Sequence, residues 1–330
     1  ISENVPGKGK SMKEKGKLTC FRPGEVWMDE EGKPIQAHGG GVLYHDGVYY
    51  WFGENKDKKN TPGARRVDVI GVSCYSSVDL YNWKHEGIVL PAVQDDIAHD
   101  LHPGKVLERP KVIYNRAARK FIMWMHVDTS DYTYARIGIA VSGRPAGPYE
   151  YIGSIGPNGF DSRDMTLFKD EDERAYVIFS SEMNSCLQIA LLTDDYLNVE
   201  GICSRHFKAP RKNQSREAPA IFKDRGKYYL ITSGCTGWNC NEAEYAAADS
   251  VFGPWEVKGN PCIGEHAEKT FYSQPAFVLP LAEKEGAFIF MGDRWFKDNL
   301  RDSRYVWLPV FPEEGKITIK WMDSWEIADL

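Results

Sequence analysis

The chain has 330 residues, 42% of them hydrophobic, which is enough to bury a large core and leaves room for one to three domains. A formal charge of −6 gives no basic footprint for nucleic acid. No apolar run of about 18 residues is present, so no membrane span is expected.

Ile1 rather than Met opens the sequence, consistent with removal of an export signal or with a cloned fragment, and a secreted or periplasmic location is expected. Residues 1–24, with the basic stretch Lys8 to Lys17, read as a solvated N-terminal arm. Residues 25–330 read as one domain.

Within that domain a phrase returns five times: a polar key residue, a short apolar strand, a turn and an aromatic-rich strand. The copies begin at Gly39-Gly40-Gly41-Val42, Glu108-Arg109-Pro110-Lys111, Arg163-Asp164-Met165, Arg216-Glu217-Ala218-Pro219 and Ser273-Gln274-Pro275. From Glu108 the key position recurs at Asp164, Glu217 and Gln274, in steps of 56, 53 and 57 residues, and the first copy places Gly39 there. Second strands follow, such as Gly47–Glu54, Lys120–Met125, Ala175–Phe179, Tyr228–Thr232 and Ala287–Met291. Turn phrases such as His45-Asp46-Gly47 and Asp224-Arg225-Gly226 separate them. Ala146-Gly147-Pro148-Tyr149 and Phe252-Gly253-Pro254-Trp255 fall at equivalent points of copies two and four, which supports duplication.

A strand-built period near fifty residues predicts an all-β, five-bladed β-propeller with an axial pocket. The blades bury their faces against one another, so the repeat argues for a single closed domain. Two polar segments interrupt it, residues 55–68 and 91–107, and loops of that length read as walls of a pocket. Seven cysteines (Cys20, Cys74, Cys186, Cys203, Cys235, Cys240, Cys262) are too irregular for a disulfide framework or a zinc site. Cys235 and Cys240 lie close enough in sequence to pair, but free thiols are the expectation.

The innermost strands of a propeller face one axis, so Glu108, Asp164, Glu217 and Gln274 are expected around a shared site. Crowded, buried carboxylates push one another's pKa values apart. That split leaves one group protonated near neutral pH, as a general acid requires. Glycosidic bond hydrolysis uses carboxyl groups in this way. Calcium binding is the competing use of such carboxylates, with one structural ion in the axial channel and no cofactor required. Tyr132, Trp238 and Trp295 sit in loops where a ring could stack on a sugar. Asn184, Thr236 and Arg294 sit in similar loops and could hydrogen-bond its hydroxyls. His38 reads as a channel or structural histidine, and the spacing of His99 and His102 is a weak metal signal.

Ser215-Arg216-Glu217-Ala218-Pro219 and Ser162-Arg163-Asp164, on a five-blade layout, resemble glycoside hydrolase family 43. Ala37-His38-Gly39-Gly40-Gly41, Glu108-Arg109-Pro110 and Ser273-Gln274-Pro275 are similar to its exo-β-1,3-galactanase subgroup, over about residues 25 to 325. The resemblance implies an inverting, exo-acting enzyme with Glu217 as general acid, Asp164 as its orienting partner and Glu108 binding sugar hydroxyls. It also implies that Gln274 holds the attacking water, by an unusual tautomer or by positioning alone. Most of the family carries an Asp base after the His, where this chain has Gly39. Glu54 is the nearby carboxylate, expected on the substrate or else next in line for the water.

The expected activity is release of galactose from β-1,3-galactan, the backbone of arabinogalactan, by a monomer acting on an oligosaccharide or polysaccharide. Two alternatives stay open on the residues: an α-L-arabinofuranosidase or β-xylosidase of the same family, and a non-catalytic carbohydrate-binding propeller.

Overall fold

The computed structural model describes residues 16–330. Five antiparallel sheets are formed in chain order, each a meander that steps outward from the axis. The innermost strands are His38–His45, Val106–Asn115, Met165–Lys169, Arg216–Asp224 and Gln274–Pro280. The second strands are Val48–Glu54, Lys120–Asp128, Ala175–Ser181, Lys227–Gly234 and Phe288–Arg294. Each innermost strand packs against its neighbours, and the first against the last, so the ring closes as the repeat predicts.

Two outer features went unread in the sequence. Val199–His206 is the fourth strand of the third blade, largely exposed and therefore without apolar alternation. Cys262–Ile263 adds a short parallel strand to the edge of the fifth sheet, too brief to leave a pattern.

Side chains alternate across a strand, and here both faces are buried. Ile122 and Trp124 therefore join Leu167, Val177 and Phe179 between blades two and three. Phe121, Met123 and Met125 turn the other way, onto Phe52, Val72 and Cys74 of blade one. The same alternation fills the remaining gaps between blades.

The seam between blades five and one is closed by aromatic rings. Phe21 stacks on Trp325 with ring centroids 4.2 Å apart, and the two backbones bridge through Phe21 N–H to Trp325 O at 2.8 Å. Trp27, Trp51, Trp83 and Trp307 pack beside them. Phe21 falls within the N-terminal arm expected over residues 1–24, and its burial joins its segment to the propeller. The arm's first fifteen residues lie outside the described residues.

Ladder register corrects the first repeat. His38 pairs with Glu54, as Glu108 pairs with His126, Glu217 with Ser233 and Gln274 with Asp293. A bulge then adds one residue to each of these inner strands. The residue after the key position has positive φ in three of them: Gly39 at 60°, Arg109 at 56° and Ala218 at 52°. His38, not Gly39, is therefore the ladder equivalent of Glu108. A bulge residue has no ladder partner, so nothing in the sequence reveals the one-residue slip.

Candidate active site

The bulges lie at one mouth of the channel, so the residues around them project into a common cavity of about 400 Å³. Glu54, Glu108, Asp164, Glu217 and Gln274 all line it, together with Tyr132, Asn184, Trp238 and Trp295.

Arg109 organises the centre. Its Nε and Nη2 donate to the two oxygens of Asp164, at 3.1 and 3.0 Å. Nη1 donates to Pro275 O at 2.8 Å, and Nη2 also reaches Gln274 Oε1 at 2.7 Å. A planar fork holding four hydrogen bonds fixes geometry as well as charge. The Ala218 N–H donates to Asp164 Oδ2 at 3.0 Å, so the chain beside Glu217 is tied to the same carboxylate.

Glu217 receives hydrogen bonds from Asn184 Nδ2 and Gln274 Nε2, both at 3.2 Å. Burial pushes its carboxyl up, the neighbouring Asp164 charge adds to this, and the result is about 8. Glu217 is therefore the carboxyl in the cavity that holds a proton at neutral pH, next to one fixed by an arginine.

Gln274 is held on both sides. Its Oε1 accepts from Arg109 Nη2 and from Trp295 Nε1 at 3.1 Å, while Nε2 donates to Glu217 and to Ser233 Oγ at 3.2 Å. Guanidinium and indole nitrogens only donate, so the oxygen facing them must be an acceptor.

Glu108 takes part in a separate relay. Tyr132 donates to its Oε1 at 2.6 Å, and His126 lies between Glu108 Oε2 at 3.1 Å and Asp128 Oδ2 at 3.0 Å. Burial opposes the charge on His126, but hydrogen bonds to Asp128 and Glu108 outweigh it and raise the ring to about 9. Burial likewise works against Glu108, yet the hydrogen bond and charge of His126 bring it down to about 2. Glu108 is a firmly ionised acceptor suited to sugar hydroxyls and a weak base.

Glu54 fills the gap left in blade one. A Cβ placed on Gly39 would lie 2.5 Å from Glu54 Oε1, so this carboxylate occupies the space a residue-39 side chain would enter. Lys56 Nζ pairs with it at 2.6 Å and the Arg109 N–H at 3.1 Å. Its pKa is nonetheless raised, because burial outweighs the Lys56 charge.

Two sequence candidates lie elsewhere. Thr236 donates to Asn239 O and accepts from Asn241 within its own exposed loop. Arg294 points away from the cavity, donating to Phe271 O at 2.7 Å and lying over the Trp321 ring. Thr236 follows its second strand and Arg294 ends one instead of lying in the expected loop, and the loop turn and the alternation of side chains send them outward. His38 is buried against Asp293 Oδ1 at 2.9 Å and stacked on Tyr305, consistent with its structural reading. His99 and His102 accept backbone N–H bonds in local turns.

Arg109, His126, Lys56 and Asp293 were not singled out from the sequence. Arg109 stood inside a quoted motif, but alternation places it behind its strand neighbour; only the bulge turns it into the cavity. The axial channel also holds a cation of its own. Lys111 is buried there, donating to Gly39 O at 2.7 Å, and burial, reinforced by Arg109, lowers its pKa to about 7. Among the described residues no group of three or more His, Cys, Asp or Glu side chains is placed to hold a metal ion. All seven cysteines are free.

The profile of glycosyl hydrolases family 43 matches residues 37–276. A solved family 43 β-1,3-galactosidase, in complex with galactodeoxynojirimycin, is 44% identical with a TM-score of 0.86, covering 93% of this chain and 100% of that one. A second β-1,3-galactosidase is 39% identical with a TM-score of 0.88, covering 94% of this chain. This chain spans 64% of its length, less than two thirds. The exo-β-1,3-galactanase of Phanerochaete chrysosporium, solved with galactose, is 37% identical with a TM-score of 0.83, covering 93% and 68%. No curated protein matches the chain.

Proposed function

The chain belongs to glycosyl hydrolases family 43, and from that premise we propose that it releases terminal galactose from β-1,3-galactan by single displacement with inversion. One observation carries the chemical part: Glu217, protonated up to about pH 8, stands in the cavity beside the arginine-held Asp164. A proton donor next to a fixed charge is the arrangement glycosidic cleavage needs. The galactan preference is supported by the β-1,3-galactosidases and galactanase that the chain resembles over more than nine tenths of its length.

In this reading the terminal sugar enters the cavity against Glu54, Glu108 and Tyr132, with Trp238 and Trp295 at the rim. Glu217 transfers its proton to the glycosidic oxygen as the bond to the anomeric carbon breaks. Water attacks from the opposite face, its hydrogen bonds set by Gln274, and gives up a proton to solvent, from which Glu217 is reprotonated. The amide acts by position, since its oxygen already faces two obligate donors and has no basicity to offer.

A hydrolysis panel of β-1,3-galactan, arabinan and xylan oligosaccharides, followed by proton NMR from the first minutes, tests the reading. Galactan cleavage with α-galactose as first product is expected. Cleavage confined to arabinan or xylan would overturn the substrate, and β-galactose would overturn inversion.

A further inference from the structure

A second pocket, of about 240 Å³, opens beside the catalytic cavity and shares Glu54, Glu108, Tyr132 and Trp238 with it. Its remaining wall carries four cations: Lys56, Arg65, Arg66 and Lys105. The two shared acids are already balanced, Glu54 by Lys56 and Glu108 by His126. Arg66 is clamped by Asp68 at 2.6 Å and by Pro103 O at 3.1 Å, yet its Nε is buried without a hydrogen-bond partner. Arg65 is exposed and Lys105 half-buried, and neither has a carboxylate within ion-pair distance among the described residues. Two uncompensated cations, Arg65 and Lys105, thus line a pocket that adjoins a site for neutral sugar.

We propose that this pocket binds the carboxylate of a uronic acid carried as a substituent on the galactan. The inference rests on the galactanase reading and specifies its substrate. A guanidinium offers paired donors that match a carboxylate, and the pocket's size suits one substituent and not a second backbone. The neutral ring would lie in the acid-rich cavity while its acidic branch turns toward the cations. Attraction of this kind is partly exposed and screened by salt, so it tunes preference without being required for cleavage.

The test compares kcat/KM on β-1,3-galactotriose whose terminal galactose bears a β-1,6-linked glucuronic acid with kcat/KM on the methyl ester of the same compound. For the wild type a preference of roughly fivefold for the free acid is expected, shrinking at high salt. The Arg65→Gln/Lys105→Gln variant should lose that preference while cleaving unsubstituted galactotriose at the wild-type rate. Lys105→Glu should invert it. Each ratio is taken within one variant, so a lower yield of folded protein cancels. Equal rates on acid and ester in the wild type, or a preference that survives both variants, would overturn the proposal. Cleavage of unsubstituted galactotriose alone would also overturn it, while leaving the galactanase reading standing. Cleavage of no galactotriose at all would overturn that reading and the pocket's role with it.

Discussion

Glu217 and Gln274 divide the chemistry at the level of single residues. Replacing Glu217 by Gln removes the proton donor and keeps the volume, so turnover should fall roughly 10² to 10⁴-fold while circular dichroism stays unchanged. Activity requires the protonated form, so in the wild type kcat/KM should decline about tenfold per pH unit above about 8. The same shift bears on stability. Folding favours the protonated carboxyl, so the contribution is complete below the ordinary value of 4.5 and lost as pH rises through about 8. Gln274→Ala should lower kcat by two or more orders of magnitude, with circular dichroism again the control. A negligible loss would shift the water to Glu54. These acidic and amide residues were legible because each sits beside an apolar strand at the repeat spacing. Arg109 was not, since its role depends on a backbone bulge that leaves no trace in composition.

At the level of elements, the bulge in four of the five inner strands decides which side chains reach the cavity. Gly39 shows what it demands. Its φ of 60° disfavours side chains, and any Cβ would press on Glu54 Oε1. Gly39→Ala should therefore destabilise the protein by about 1–3 kcal/mol, measured by denaturant titration, and raise KM by displacing Glu54. The loops contribute unequally. Lys56 and residues 64–67 wall a pocket, whereas of residues 91–107 only Lys105, Val106 and Leu107 reach it, with Leu101 buried in the core and Tyr151 donating to Asp100. Both looked alike in sequence because polarity marks a loop without saying which face it covers.

Closure is the property of the whole molecule. Four gaps between blades are filled by strands adjacent in sequence, but the fifth joins chain ends and relies on Phe21, Trp325 and the tryptophans around them. Phe21→Ala should cost about 3–5 kcal/mol and lower the melting temperature by several degrees in calorimetry. The repeat foretold a closed ring but not its fastening, because Phe21 precedes the first copy and Trp325 follows the last.

The sequence by itself determined the five-bladed architecture, the family and the ring of Glu108, Asp164, Glu217 and Gln274. Periodicity and short motifs are local and survive in one dimension. Only the tertiary structure decided that Arg109 joins Asp164 to Gln274, that Glu54 stands in the space beside Gly39, and that Thr236 and Arg294 lie outside the cavity. Those outcomes depend on bulges, turns and burial, which bring together residues from different blades and alter their proton affinities. No spacing along the chain encodes them.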